Sequence, residues 1–126
     1  MGTGQILIID DERLIAEALS LILADQGYET VLASCGADGI REAAERSFEL
    51  AVTDLRLPDM TGLDVLRALR ARSPEIRVIV ITAHGTPEMI RELKASGAAE
   101  VLKKPFLPSE ILSLIQRELK DHPVTA

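Results

Sequence analysis

Ile6-Leu7-Ile8-Ile9-Asp10-Asp11-Glu12 joins four consecutive apolar residues to three consecutive acids. An apolar run with no polar alternation is what a strand covered on both faces requires. Val78-Ile79-Val80-Ile81 repeats the pattern further along the chain. Working outward, apolar runs fall at Gln5–Ile9, Glu29–Ala33, Leu50–Thr53, Arg77–Thr82 and Glu100–Leu102. Between and after them, apolar residues recur at three- and four-residue steps. Leu14, Ala18, Leu19, Ile22 and Leu23 form one such face, and Ile40, Ala43 and Ala44 another. Leu63, Leu66 and Leu69 follow, then Met89, Ile90 and Leu93, and last Ile111, Leu112, Ile115 and Leu119.

Gly27 and Gly97 each follow a helical segment, where a left-handed residue ends a helix well. Thr86-Pro87 and Pro108-Ser109 carry the signals of helix starts. The strand starts lie 21 to 27 residues apart, room for one helix and two short loops each. The expected fold is therefore α/β: a single (βα)5 domain, doubly wound around a five-stranded parallel sheet. The usual strand order for such a sheet is 2-1-3-4-5. The intervals share no sequence signature, which sets aside a solenoid repeat. The domain is expected to span residues 1–121, with 122–126 a tail or linker stump.

Composition narrows the function classes. The 126 residues carry 14 Lys plus Arg against 20 Asp plus Glu, a net charge of -6, which disfavours nucleic acid or an anionic membrane as a direct partner. Aromatic residues make up 2% of the chain, so Ile, Leu, Val and Ala must build the core. The one cysteine, Cys35, excludes an internal disulfide and a cysteine-based zinc site. His84 and His122 are too few and too isolated for a histidine-rich metal centre. Met1-Gly2-Thr3-Gly4 opens no basic or apolar leader, and no apolar run approaches the ~18 residues of a membrane span. A cytoplasmic chain is expected.

In a doubly wound sheet, ligands bind outside the carboxyl ends of the strands at the switch point. Those ends carry Asp10-Asp11-Glu12 on the first strand, Asp54 on the third, Thr82-Ala83 on the fourth and Lys103-Lys104-Pro105 on the fifth. Taken singly, each has a simpler use: acids starting a helix, a loop aspartate, a β-forming threonine, a solvated lysine. Their joint placement at successive strand ends is what singles them out. Clustered carboxylates repel and stay ionised only with a cation among them. Oxygen-only ligands suit Mg²⁺ or another hard cation. A carboxylate at a metal is also a nucleophile toward phosphorus, and a nearby lysine neutralises phosphoryl oxygens in the transition state.

The motifs Ile8-Ile9-Asp10-Asp11-Glu12, Asp54-Leu55-Arg56-Leu57-Pro58-Asp59-Met60-Thr61-Gly62, Ile81-Thr82-Ala83-His84 and Lys104-Pro105-Phe106 stand in one order and spacing. Over residues 5–120 the chain resembles the receiver domain of two-component response regulators, the CheY-like, flavodoxin-like fold. The resemblance implies that Asp54 accepts a phosphoryl group from the phosphohistidine of a sensor histidine kinase or phosphotransfer protein. It implies that Asp10 and Asp11, with Asp54 and the backbone carbonyl of Arg56, hold Mg²⁺. Thr82 resembles the switch hydroxyl, with Ala83 in the moving loop. Lys104 resembles the lysine that pairs with the phosphoryl group, and its bond to Pro105 is expected to be cis, as in the family. Such a domain catalyses only its own phosphorylation and dephosphorylation and is not an enzyme acting on an external metabolite.

Many receivers carry Tyr or Phe three residues before the lysine; here that position is Val101. The aromatic half of the usual switch is therefore in question. Arg56 and His84 flank the expected path of attacking water. Leu107, Ile111, Leu112, Leu114, Ile115 and Leu119 form a broader apolar set than one buried stripe requires. The face of helix four, strand five and helix five is expected to dock a partner or a second copy, with Ile111 and Ile115 among its residues. Two rivals remain. A haloacid-dehalogenase-like phosphatase wants a second aspartate two positions after the nucleophile, where Arg56 stands. A degenerate receiver, acting only as a binding module, would lack one of the five core positions, and all five are present.

Overall fold

A computed structural model describes residues 4–120, with the side chain of Lys120 excepted. The opening residues 1–3 and the tail expected at 122–126, with His122, lie outside the described residues. The elements alternate strictly: β1 (Gln5–Ile9), α1 (Arg13–Asp25), β2 (Glu29–Ala33), α2 (Gly36–Glu45), β3 (Leu50–Asp54), α3 (Gly62–Arg72), β4 (Arg77–Thr82), α4 (Pro87–Ala95), β5 (Glu100–Lys103) and α5 (Pro108–Lys120). The five strands are parallel, in the order β2-β1-β3-β4-β5, as expected. β3 and β5 each run one residue further than the sequence suggested. Asp54 is therefore a strand residue, paired in register with Ile81.

Strand alternation sorts the core into two layers. Leu7, Ile9, Ala51, Val78 and Val80 face α2, α3 and α4, meeting Val65, Leu66, Leu69 and Leu93. Ile6, Ile8, Leu50, Val52, Ile79 and Ile81 face α1 and α5, meeting Ala16, Leu19, Leu23, Ile111 and Ile115. Each interior strand thus buries both faces, which explains its unbroken apolar run. Gly27 and Gly97 end α1 and α4 at φ of 94° and 111°, conformations that disfavour any residue with a Cβ.

Two expectations from the helical pattern do not hold. Leu14 is 82% exposed, and the buried stripe of α1 is Ala16, Leu19 and Leu23. At 3.6 residues per turn, Leu14 points roughly 140° away from Leu19. Ile111 and Ile115 are 0% exposed, so they cannot belong to a contact face. One turn apart on α5, they fill the core against the sheet beside α1, and the contact-face expectation for them is corrected.

Candidate acidic phosphoacceptor site

Parallel pairing brings every strand's carboxyl end to one edge of the sheet. Asp10 leaves β1 with its N–H donating to the Ala33 carbonyl at 3.0 Å, and its Oδ1 accepts the Glu12 N–H at 2.9 Å. Asp54 is 8% exposed, and its Oδ1 accepts the Arg56 N–H at 3.4 Å. The turn that follows is held tightly: Leu55 N–H donates to Ile81 O at 2.8 Å, and Gly62 N–H to Leu55 O at 2.6 Å. A Cβ on Gly62 would lie 2.6 Å from the Asp54 carbonyl oxygen and 2.8 Å from Leu55 Cα, so only glycine fits.

Lys104 reaches this pocket from beyond β5. Its ammonium donates to Asp54 Oδ2 at 3.0 Å and to Glu12 Oε1 at 2.8 Å. Lys103, the last residue of β5, is exposed, as strand alternation requires when Lys104 turns inward. The Lys104 N–H donates to Thr82 O at 2.9 Å, so the lysine and the threonine share one backbone junction. Thr82 is 3% exposed, and its Oγ1 accepts the His84 N–H at 3.1 Å. The Lys104–Pro105 peptide bond is cis.

Among the described residues, carboxylate oxygens of Asp10, Glu12 and Asp54 lie within 4.8 Å of one another. Burial raises the Asp10 pKa; the Glu12 N–H opposes the shift, the Asp54 charge adds to it, and Lys104 lowers it. For Lys104, burial alone would lower the pKa. Hydrogen bonds to Glu12 and Asp54, with the charges of Asp54 and Asp10, outweigh it and push the pKa up. Crowded oxygens with no nitrogen or sulfur donor suit a hard divalent cation.

The structure thus gathers Asp10, Asp54 and Lys104 but leaves Asp11 exposed, outside the close group. Glu12, also exposed, stands in the close group with Asp10 and Asp54. Asp10 and Asp11 both border a hollow lined also by Arg13 and Ser34. Arg56 and His84 line a groove of about 340 Å³ with Leu55, Thr61, Leu63, Thr86 and Met89. Ala83 and Pro105 are exposed. Val101 is half-buried, pairs with Val80 and packs on the α2–α4 layer. Sequence reasoning gave no role to Asp59, whose carboxylate caps α2. The one signal for it was Cys35 at the N-cap, a residue with no side-chain cap bond there.

An aspartate pocket at the switch point of a doubly wound sheet, with a lysine aimed into it, defines a class of phosphoacceptor signalling domains. The response regulator receiver domain model matches residues 6–116. The chain belongs to that family, whose members are signalling domains of two-component response regulators. It is 37% identical over 123 residues to the transcriptional regulatory protein YkoG of Bacillus subtilis, covering 97% of this chain and 54% of that one. A CheY-like receiver domain protein from Methanospirillum hungatei superimposes with a TM-score of 0.91 at 29% identity, covering 95% and 96% of the two chains. The beryllofluoride-activated NtrC4 receiver domain dimer matches at 0.88 and 32%, covering 93% and 97%. The chain spans about half the length of the first of these, a curated relative. No helix among the described residues is long and apolar enough to cross a membrane.

Proposed function

We propose that Asp54 accepts a phosphoryl group from the phosphohistidine of a sensor histidine kinase or a phosphotransfer protein. The observation that carries this reading is the Lys104 ammonium 3.0 Å from Asp54 Oδ2, inside a group of three carboxylates. In the step, an Asp54 oxygen bonds to phosphorus and the phosphorus–nitrogen bond breaks. Its electron pair leaves on the imidazole nitrogen. Lys104 is already aimed at the reacting oxygen, so it stabilises developing phosphoryl charge without reorganising. Asp10, Asp11, Asp54 and the Arg56 carbonyl are the proposed holders of Mg²⁺, with Glu12 beside them. When bound, the ion neutralises phosphoryl oxygen charge. The oxygen-only donor set supports it, while Asp11 enters on the family resemblance alone.

An aspartyl phosphate brings about 1.5 to 2 negative charges and new acceptor oxygens. The Thr82 hydroxyl, now an acceptor for the His84 N–H, is the proposed donor to them. Its turn, with Ala83, shifts the β4–α4 loop and the α4-β5-α5 face. With Val101 in place of a ring, the hydroxyl and the loop carry the signal without aromatic rotation. That face is the proposed partner surface, for a second copy or another protein; the beryllofluoride-activated NtrC4 receiver domain, a structural neighbour, is a dimer. The proposed setting is the cytoplasm, with no direct nucleic-acid or membrane contact by these residues.

Incubation with Mg²⁺ and a small phosphodonor, followed by intact mass, tests the reading. One added phosphate, stable to acid and labile to base, is expected on wild type and absent in Asp54→Asn. A wild-type chain that gains none overturns it.

A further inference from the structure

Helix α2 begins without a cap of its own. Cys35 occupies the N-cap and makes no side-chain cap bond, yet the first amides of a helix need acceptors. They find them 22 and 23 residues away. Asp59 Oδ1 accepts the Gly36 N–H at 2.8 Å, and Oδ2 accepts the Ala37 N–H at 2.9 Å. The residue after it, Met60, lies over the same helix end: a Cβ on Gly36 would meet Met60 Cγ at 2.4 Å. The tip of the β3–α3 loop is therefore docked on α2 by one polar and one apolar contact.

Further along, α2 packs on β1. A Cβ on Gly39 would meet Ile9 Cδ1 at 2.3 Å, so the helix approaches β1 closely just before Asp10. The Asp10 N–H bonds the last residue of β2, which leads into α2. Helix α2 is thus a fixed post between two segments: the Ile9–Asp10 end of β1, and the loop from Asp54 through Arg56 to Asp59. Within that loop, Leu57 N–H donates to Met60 O at 3.2 Å, and Arg56 pairs with Thr61. The tip and the Arg56 segment are thus one hydrogen-bonded unit.

We propose that Asp59 is a positioning residue for the acidic site. By docking the β3–α3 loop on α2 it sets the distance between the Arg56 carbonyl and the Asp10 side of the pocket, and so the affinity for a divalent cation. This rests on the function proposed above. Asp59 touches no reactant. The amides of Ala37 and Gly36, with a smaller contribution from the Cys35 thiol, hold its carboxyl below the usual carboxylate range, consistent with a carboxylate kept ionised in this cap.

The test separates positioning from helix stability. Mg²⁺ is titrated calorimetrically into metal-free wild type, Asp59→Ala, and Asp59→Ala combined with Cys35→Ser. The serine hydroxyl gives α2 a local cap but cannot re-dock the loop. Urea unfolding is measured on all three. The double variant is expected to recover stability while binding Mg²⁺ about tenfold more weakly than wild type, the size of loss typical when a group that orients metal ligands is removed. Phosphorylation by a small phosphodonor should require a higher Mg²⁺ concentration in both variants than in wild type. Mg²⁺ affinity that is unchanged, or that returns together with stability, overturns the proposal and leaves Asp59 a helix cap. Failure of wild type to bind Mg²⁺ overturns the functional reading and this inference with it.

Discussion

The Lys104 ammonium stands 3.0 Å from Asp54 Oδ2, a contact between residues fifty positions apart, and both side chains are largely shielded from water. Asp54 also sits among Asp10 and Glu12, so this cation offsets three crowded carboxylates. Removing it as Lys104→Ala is expected to destabilise the metal-free chain by about 2 kcal/mol, the scale of a lost charge-assisted hydrogen bond. Urea unfolding checks the value. The loss should shrink on adding Mg²⁺, because a divalent cation replaces the missing charge.

Gly62→Ala places a methyl 2.6 Å from the Asp54 carbonyl oxygen, against backbone that has no rotamer to change. Overpacking of this kind costs about 1–3 kcal/mol. Thermal or urea unfolding should show that loss. The phosphorylation rate should fall too, because the crowded carbonyl belongs to Asp54.

The corrected face of α1 predicts a contrast with α3. Leu66 is 0% exposed, and Leu66→Ala is expected to cost about 2–5 kcal/mol. Leu14→Ala, at an 82% exposed position, should stay within about 0.5 kcal/mol of wild type. Equal losses in the two variants, read by urea unfolding, would contradict the packing described here.

Glu118 is buried at the end of α5, 3.5 Å from Arg77. Burial raises its pKa above the ordinary 4.5, and a hydrogen bond to Glu100 and that residue's charge raise it further, against Arg77 and Arg117. A raised folded pKa means the folded state holds the proton more tightly than the unfolded chain does. Its stabilising share is therefore full below 4.5 and lost as pH rises through the folded value. Glu118→Gln cannot titrate. Its stability relative to wild type should improve as pH rises through that window, as a series of urea unfolding curves would show.

Much of this was legible in the amino-acid order. The strands were read to within one residue because the apolar runs of β1 and β4 bury both faces without interruption, and the end of β3 was missed by one where it turns polar at Thr53 and Asp54. Asp54, Thr82 and Lys104 could be placed at one edge because parallel topology sends every strand end there. The place of Glu12 beside Asp10 and Asp54 was not legible, because its carboxylate is met there by Lys104, a residue 92 positions away. Three- and four-residue steps were counted from Leu14 onto Ala18 and then Leu19, although the helical period sets Leu14 roughly 140° from Leu19. Which of the two sides meets the sheet is decided by packing. Ile111 and Ile115 were assigned to the surface for the mirror-image reason. Asp59 was invisible because its partners are backbone amides on another element.

Residue order alone determined the architecture and marked the family, since periodicity and strand-end residues are local properties that survive without coordinates. It also settled that the acids, not the net charge of -6, carry the meaning. Which carboxylates meet, which lysine answers them, and how the β3–α3 loop is braced were settled in three dimensions. Those are distances between segments remote in sequence. They come from the packing of α2 and α5 against the sheet, where ångström differences separate a neighbour from a bystander.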